Sequence, residues 1–369
     1  MDFIDLKTQY QRYKKEIDQA VHKVLDGGQY ILGPQVKELE EMLADYVGVK
    51  HAIGCASGTD TLFMALLALG IGVGDEVITT PWTWVSTVEV ISLIGATPVL
   101  VDIDPETYNI DPALIEAAIT PKTKAIMPVG IFGQMADMSA INAIAEKYGI
   151  PVIEDGAQSF GAMHHGKRSC SMSLIGSTSF FPSKPLGCYG DGGMLFTNDD
   201  ALNEKLRLIR VHGGNAQREF KCIGITGRLD TIQAAILLAK MPYFEEELKM
   251  RERIAARYND LLKDVCITPQ IAEGNTHVYH IYTIRHPQRD LIGQYLKEKG
   301  IPTALYYPKA AHLHPAYAYL GYGVGSFPIL ESLGKEVISL PMHPWLDEKT
   351  QDFIVEAVQE AVCIEAGRK

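Results

Sequence analysis

Between residues 51 and 155 short apolar runs alternate regularly with longer amphipathic stretches, and this constrains the chain more than any other feature. The runs TPVLVDID (97–104) and IPVIED (150–155) are apolar at successive positions. A strand with water on one face alternates apolar and polar residues, whereas a run apolar on both faces belongs in a parallel sheet covered by helices. Strands are expected at 51–53, 76–79, 98–103, 125–128 and 151–154. Helices are expected between them at 59–69, 83–93, 112–119 and 138–148. This series predicts an α/β fold, a mostly parallel sheet with flanking helices. Two helices are expected before it, at 10–25 and 35–47, ending at glycines.

After residue 175 the pattern changes. Strands at 178–181 and 193–197 are separated by a loop, and 228–263 is largely helical. Strand signals at 278–284 and 303–307 lie among further helices, and a helix at 349–363 closes the chain. The expected division is a large domain over 1–250, including the N-terminal helices, and a smaller C-terminal α/β domain over 251–369.

Composition excludes several function classes. The 369 residues carry a net charge of −11 and a pI near 5.5, unsuited to general nucleic-acid binding. Mean hydropathy is +0.01, and no apolar run is long enough to span a bilayer, so no membrane partner is expected. The six cysteines have no zinc-like spacing and read as reduced thiols of a cytoplasmic protein, with no metal site. The stretch GAMHHGKR (161–168) approaches a phosphate-binding loop but ends in Arg168 and has no strand leading into it.

In an open α/β sheet, ligands bind beyond the carboxyl ends of the strands. That selects 55–60, 81–87, 130–134, 155–158 and 182–191. In CASGTD (55–60), small residues open a helix whose free N–H groups attract an anion. Gly58 and Thr59 are the candidates there, although Ser57 or Thr59 could equally serve as an ordinary helix cap. Asp155 ends an apolar strand, where a carboxylate needs a cationic partner or serves as a cap. Gln158 adds an amide nearby. Lys184 stands in SFFPSKPLG (179–187), among aromatics, prolines and glycine. A lysine so flanked is either a rim residue or a desolvated amine nucleophilic toward carbonyls. A phosphate cradle, a strand-end Asp, a buried-type Lys and an aromatic from Trp82 or Trp84 together are what pyridoxal 5'-phosphate needs.

The chain resembles the DegT-type sugar-nucleotide aminotransferases nearly end to end. The resemblance is carried by GGQYILGPQVKELE (27–40), ASGTDTL (56–62), PWTWVSTVEVI (81–91), VDIDPETYNID (101–111) and GIFGQMADM (130–138). It continues through VIEDGAQSFGA (152–162), SFFPSKPLGCYGDGG (179–193), GRLDTIQAAIL (227–237), YYPKAAHLHPAY (306–317) and SLPMHP (339–344).

The resemblance implies an aspartate-aminotransferase-like fold of type I and a pyridoxal-phosphate transaminase. It makes Lys184 the lysine that joins the cofactor and Asp155 the partner of its ring nitrogen. Gln158 lies near the ring hydroxyl, Gly58, Thr59 and Ser179 hold the phosphate, and Trp84 stacks on the ring. The wording of 179–193 is similar to members that aminate a UDP-linked 3-keto-N-acetyl-glucuronate with L-glutamate as donor. Arg228, Tyr307 and His312 are the implied substrate residues. The family forms homodimers with shared active sites, where Thr226 stands in place of a usual Asn reaching the neighbour's phosphate. Gly130 replaces a common His near the substrate. The rivals are an aminotransferase for another nucleotide-linked keto-sugar, a dehydratase (which carries His at position 184), a desulfurase using Cys222, and a non-catalytic sugar-binding regulator.

Overall fold

The computed structural model describes residues 1–215 and 217–366. The N-terminal helices are α1 (Leu6–Arg12), α2 (Lys14–Gly27) and α3 (Pro34–Val47). The single helix expected over 10–25 breaks at Tyr13, whose ring stacks on Tyr243 at 4.1 Å and meets the edge of Trp345. Burying that ring outweighs helical continuity, because propensity is a weak prior against aromatic packing.

The alternating region follows as β1 (His51–Cys55), α4 (Gly58–Leu69), β2 (Glu76–Thr79), α5 (Ser86–Leu93) and β3 (Thr97–Leu100). Next come α6 (Pro112–Ala118), β4 (Thr123–Ile126), α7 (Met138–Tyr148) and β5 (Ile153–Asp155). A small hairpin, β6 (Met163–His164) and β7 (Lys167–Arg168), precedes β8 (Ile175–Ser179) and β9 (Gly193–Thr197). Helices α4 and α7 stop at Gly70 and Gly149, which take the left-handed conformation that glycine adopts without steric cost.

Paired strands run β3-β2-β4 and β5-β8-β9-β1, and the parallel bridges Ile126–Val152 and Val129–Asp155 join the two groups. Among the described strands of this sheet, β9 runs against the rest. Alternate residues of each strand enter opposite cores. Ile53 and Leu195 pack with α4, α5 and α8 (Asp200–Ile209). Ala52, Met194 and Phe196 pack with α3 and the first half of α9 (Thr231–Leu262). Each fully buried large apolar side chain here contributes roughly 1.5–3 kcal/mol.

Helix α9 runs through position 250, where the division of the chain was expected. Its second half, with Ile254, Tyr258 and Leu262, enters another core. That core also takes β10 (Tyr282–Arg285), α10 (Arg289–Glu298), β11 (Val337–Leu340) and α12 (Glu348–Ala366), while Leu330 and Leu333 of α11 (Pro328–Leu333) enter a separate cluster. Strands β10 and β11 pair antiparallel, and the strand expected at 303–307 is reduced to a bridge between Ala304 and Ser339. Trp82, Val88 and Phe132 share a cluster with Ile281, Ala310 and Phe327, sealing the two parts together. Among the described residues no helix is long and apolar enough to cross a membrane.

Candidate active site

The parallel strands deliver their carboxyl ends to one edge of the sheet. Asp155 is the last residue of β5, Ser179 the last of β8 and Cys55 the last of β1. The loop after β8 carries Lys184, and the loop after β2 carries Trp82 and Trp84.

Asp155 is buried and held on both oxygens. Oδ2 accepts from the Thr87 hydroxyl at 2.9 Å, and Oδ1 accepts from the Ala157 N–H at 3.1 Å. Burial pushes this carboxyl above its ordinary range. The Ala157 and Thr87 hydrogen bonds and the Lys184 charge pull it back only in part. Lys184 is partly buried, and burial pushes its amine down to about 8, with Asp155 acting in the opposite sense. The two groups form an under-solvated acid and base at neighbouring strand ends. Such opposed perturbations mark sites that move protons.

The helix-cap and anion-cradle readings of 55–60 divide between two residues. Ser57 is the cap, its oxygen accepting from Asp60 N–H at 3.0 Å. Thr59 is not; its hydroxyl lies 2.8 Å from that of Ser86. A β-carbon on Gly58 would sit 2.6 Å from Ser179 Cβ, so the first turn of α4 presses directly on the end of β8. Gly58, Thr59, Ser179 and Ser86 therefore converge where α4 offers N–H groups without intrahelical partners, a setting that suits a phosphate. The donor set fits a phosphorylated pyridine aldehyde. It has an amine for the carbonyl, a buried carboxylate for a ring N–H, and a helix N-terminus for the phosphate.

Gln158 bridges two walls: its Oε1 accepts from Phe132 N–H and its Nε2 donates to the Tyr307 hydroxyl, each at 3.1 Å. Phe132 has φ +60, a strained conformation beside the site. Trp84 is 57% exposed, its ring 6.0 Å from that of Tyr307, so these aromatics border an open mouth.

Several placements differ from the sequence reading. Arg228 does not open a helix; α9 starts at Thr231, and Arg228 lies in extended chain bridged to Cys55. Among the described residues it makes no ion pair with Asp230, and its buried Nε has no hydrogen-bond partner. The exposed Thr226 engages His212 Nε2 at 2.6 Å. His312 is buried, its Nε2 at 3.2 Å from Glu331 and its ring edge-on to Phe327, while its Nδ1 has no hydrogen-bond partner. A β-carbon on Gly130 would lie 2.2 Å from Ser159 Oγ, directed into packed interior, so His at this position requires that hydroxyl to move.

Thr87 and His280 were not singled out from sequence. Thr87 lies in the 81–87 window but is one of several hydroxyls there. His280, in HVYHIY, is buried, and burial and the charges of Lys184 and Arg251 hold its imidazole well below its ordinary pKa. Its flanks in the expected strand 278–284 gave it no signal beyond that of a strand residue.

The profile of the DegT/DnrJ/EryC1/StrS aminotransferase family matches residues 11–359. The UDP-2-acetamido-2-deoxy-3-oxo-D-glucuronate aminotransferase of Pseudomonas aeruginosa is 54% identical over 359 residues, covering 97% of this chain and 99% of that protein. Streptomyces venezuelae DesV, in complex with a ketimine intermediate, superposes with a TM-score of 0.96 at 38% identity, covering 98% of both chains. NtdA of Bacillus subtilis, with bound cofactor PMP, superposes with a TM-score of 0.89 at 30% identity, covering 98% of this chain and 83% of that one.

Proposed function

We propose, from the premise that the chain belongs to the DegT/DnrJ/EryC1/StrS aminotransferase family, that it moves an amino group from L-glutamate to a UDP-linked 3-keto-N-acetyl-glucuronate. The observation that carries the chemistry is the buried Asp155 facing the depressed amine of Lys184. The relative that is 54% identical supports the sugar.

Pyridoxal phosphate, when bound, supplies an electron sink for the carbon that gains or loses the amino group. Asp155 holds the ring-nitrogen proton, kept in place by Thr87 and the Ala157 N–H. Lys184 would hold the cofactor through its Nζ, and the free amine would accept and return a proton there. An amine near 8 exists in both protonation states close to neutral pH, as a general acid–base requires. The first turn of α4, with Thr59 and Ser179, holds the phosphate. Trp84 and Tyr307, whose rings lie 6.0 Å apart at the mouth, would offer an aromatic face to the ring. Arg228, with its unpaired guanidinium nitrogen, receives an anionic group of the substrate.

A second copy of the chain completes the site. Phe220 and Ile223 are 72% and 85% exposed on the arm that carries Thr226, and Ile31, 53% exposed, is bridged to Asp230. Exposed apolar residues of this kind support a second copy of the chain packing here, and with it a homodimer with shared sites. The six free cysteines and a sugar-nucleotide substrate support a cytoplasmic setting. The test is a panel of UDP- and dTDP-linked keto-sugars incubated with glutamate and read by mass spectrometry. Amination of the 3-keto-uronate above all others is expected, and preference for a neutral 4-keto-sugar overturns the assignment.

A further inference from the structure

Helix α9 carries a polar stripe at spacings of seven and four: Gln233, which is half-buried, and Lys240, Glu247 and Arg251, which are buried. Lys240, Glu247 and Arg251 are each less than 5% exposed, although charged side chains are rarely buried without a structural task. The task of Lys240 is visible. Its Nζ donates to the Gly187 carbonyl and lies 5.1 Å from the Tyr189 ring centroid. One turn pair earlier, Gln233 accepts from the Tyr189 N–H at 2.9 Å. Both side chains grip the loop whose other end is Lys184.

That loop cannot relax on its own. Lys184 N–H donates to Phe181 O, and Cys188 N–H donates to Phe180 O, each at 2.8 Å. A β-carbon on Gly187 would meet Pro182 O at 2.4 Å, so the turn is closed as tightly as backbone allows. An ammonium on a carbonyl is a charge-assisted bond, stronger than the neutral kind. We propose that Lys240 is a positioning residue, which fixes the Lys184 turn by clamping the Gly187 carbonyl and so keeps the Lys184 amine in its dry setting. This rests on the reading of Lys184 as the cofactor lysine, yet its readout does not require that reading.

The groups facing Lys184 are Asp155 and His280. Those facing Lys240 are Glu247, Arg251 and the Cys188 thiol. Glu247 is in turn bound by Gln9 Nε2 at 2.9 Å, and Arg251 donates to Tyr279 O at 3.1 Å. The clamp is thereby anchored to the N-terminal helices and to the C-terminal core.

The test uses the full chain freed of cofactor. Trace acylation is followed across pH 6–11, and the labelling of Lys184 is read by peptide mass spectrometry. In Lys240→Met the turn loosens, water reaches the amine, and the labelling midpoint rises by at least about half a pH unit, roughly threefold less reactive amine at pH 7.5. Lys240→Arg, which still reaches the carbonyl, restores the wild-type midpoint. Should Lys240→Met fail to fold, Lys240→Gln, one bond too short to reach, replaces it with the same expected shift. A midpoint within about 0.2 units of wild type in whichever variant folds overturns the proposal. So does an equal shift in Lys240→Arg. Failure of the sugar panel with a shifted midpoint would sink the enzymatic reading and leave the clamp standing.

Discussion

Thr87 donates its hydroxyl to Asp155 across 2.9 Å, from the first turn of α5 to the end of β5. A hydroxyl has one proton, so the Thr83 hydroxyl at 2.9 Å must donate to Thr87 in turn. The chain Thr83–Thr87–Asp155 therefore delivers two aligned dipoles to a carboxylate that burial pushes toward its protonated form. Asp155→Asn keeps the shape and removes the charge, and a fall in turnover of about 10²–10³ is expected. Thr87→Val removes one bond to a charged acceptor, about 1.5–3 kcal/mol, and a tenfold to hundredfold loss is expected. Steady-state kinetics on both variants checks this; turnover within about threefold of wild type in Asp155→Asn would show that residue to be a mere cap.

Lys184→Ala should abolish turnover while leaving the fold intact, since the side chain lies in a loop and only partly contributes to the core. Borohydride treatment of the wild-type holoenzyme should fix the cofactor on Lys184, as seen by peptide mass spectrometry. A label on Lys240, a buried lysine whose amine burial likewise pushes down to about 8, would reassign the chemistry.

Glu154 precedes Asp155 and points to the other face of the sheet. It is buried, with Ser169 donating to Oε1 at 2.7 Å and Oε2 unpartnered. Burial, with a smaller push from Asp155, raises its carboxyl to about 7. The fold thus favours the protonated acid. The stability it contributes is complete below about pH 4.5, the ordinary value, and is lost as pH rises through 7. The loss is on the order of 1–3 kcal/mol. Glu154→Gln should match wild type near pH 4.5 and melt several degrees higher at pH 8. Equal melting temperatures at pH 8 would show that Glu154 ionises without cost.

The alternation of apolar runs was enough to read the parallel sheet, because burial on both faces leaves a mark in every strand. The strand expected at 303–307 failed for the converse reason: Ala304 meets Ser339 at one bridge only, and no periodicity distinguishes one bridge from a ladder. Asp155 and Lys184 were legible as charged residues in apolar company. Lys240, embedded in AAILLAKMPYF, carried the same signal but sat on a helix, where a lone lysine ordinarily faces water. Thr87 was not legible, because which of several hydroxyls meets a carboxylate depends on how α5 lies across β5. For His312 the sequence is silent, because a histidine beside prolines reads the same whether it lines a mouth or packs against Glu331.

Of the proposed substrate roles, that of Arg228 is the most sharply testable. Arg228 lies against the turn from β1 into α4, where Ala56 N–H donates to Gly227 O at 3.0 Å, and this fixes the backbone on both sides of it. Its Nε is buried without a hydrogen-bond partner, and among the described residues no carboxylate pairs with it, so its charge is uncompensated within the chain. An acidic chain must supply such isolated cations for an anionic substrate. A guanidinium grips a carboxylate with two parallel N–H bonds, which a lysine cannot reproduce. Arg228→Lys should therefore raise KM for the uronate sugar tenfold or more, equivalent to about 1.4 kcal/mol. The glutamate half-reaction, followed separately by the change in cofactor absorbance, should alter much less. Equal losses in both halves would place Arg228 at the cofactor phosphate or between subunits. Mixing Lys184→Ala with Arg228→Ala protomers separates those two: recovery of activity in hybrids locates the guanidinium across the subunit boundary, and no recovery keeps it within its own site.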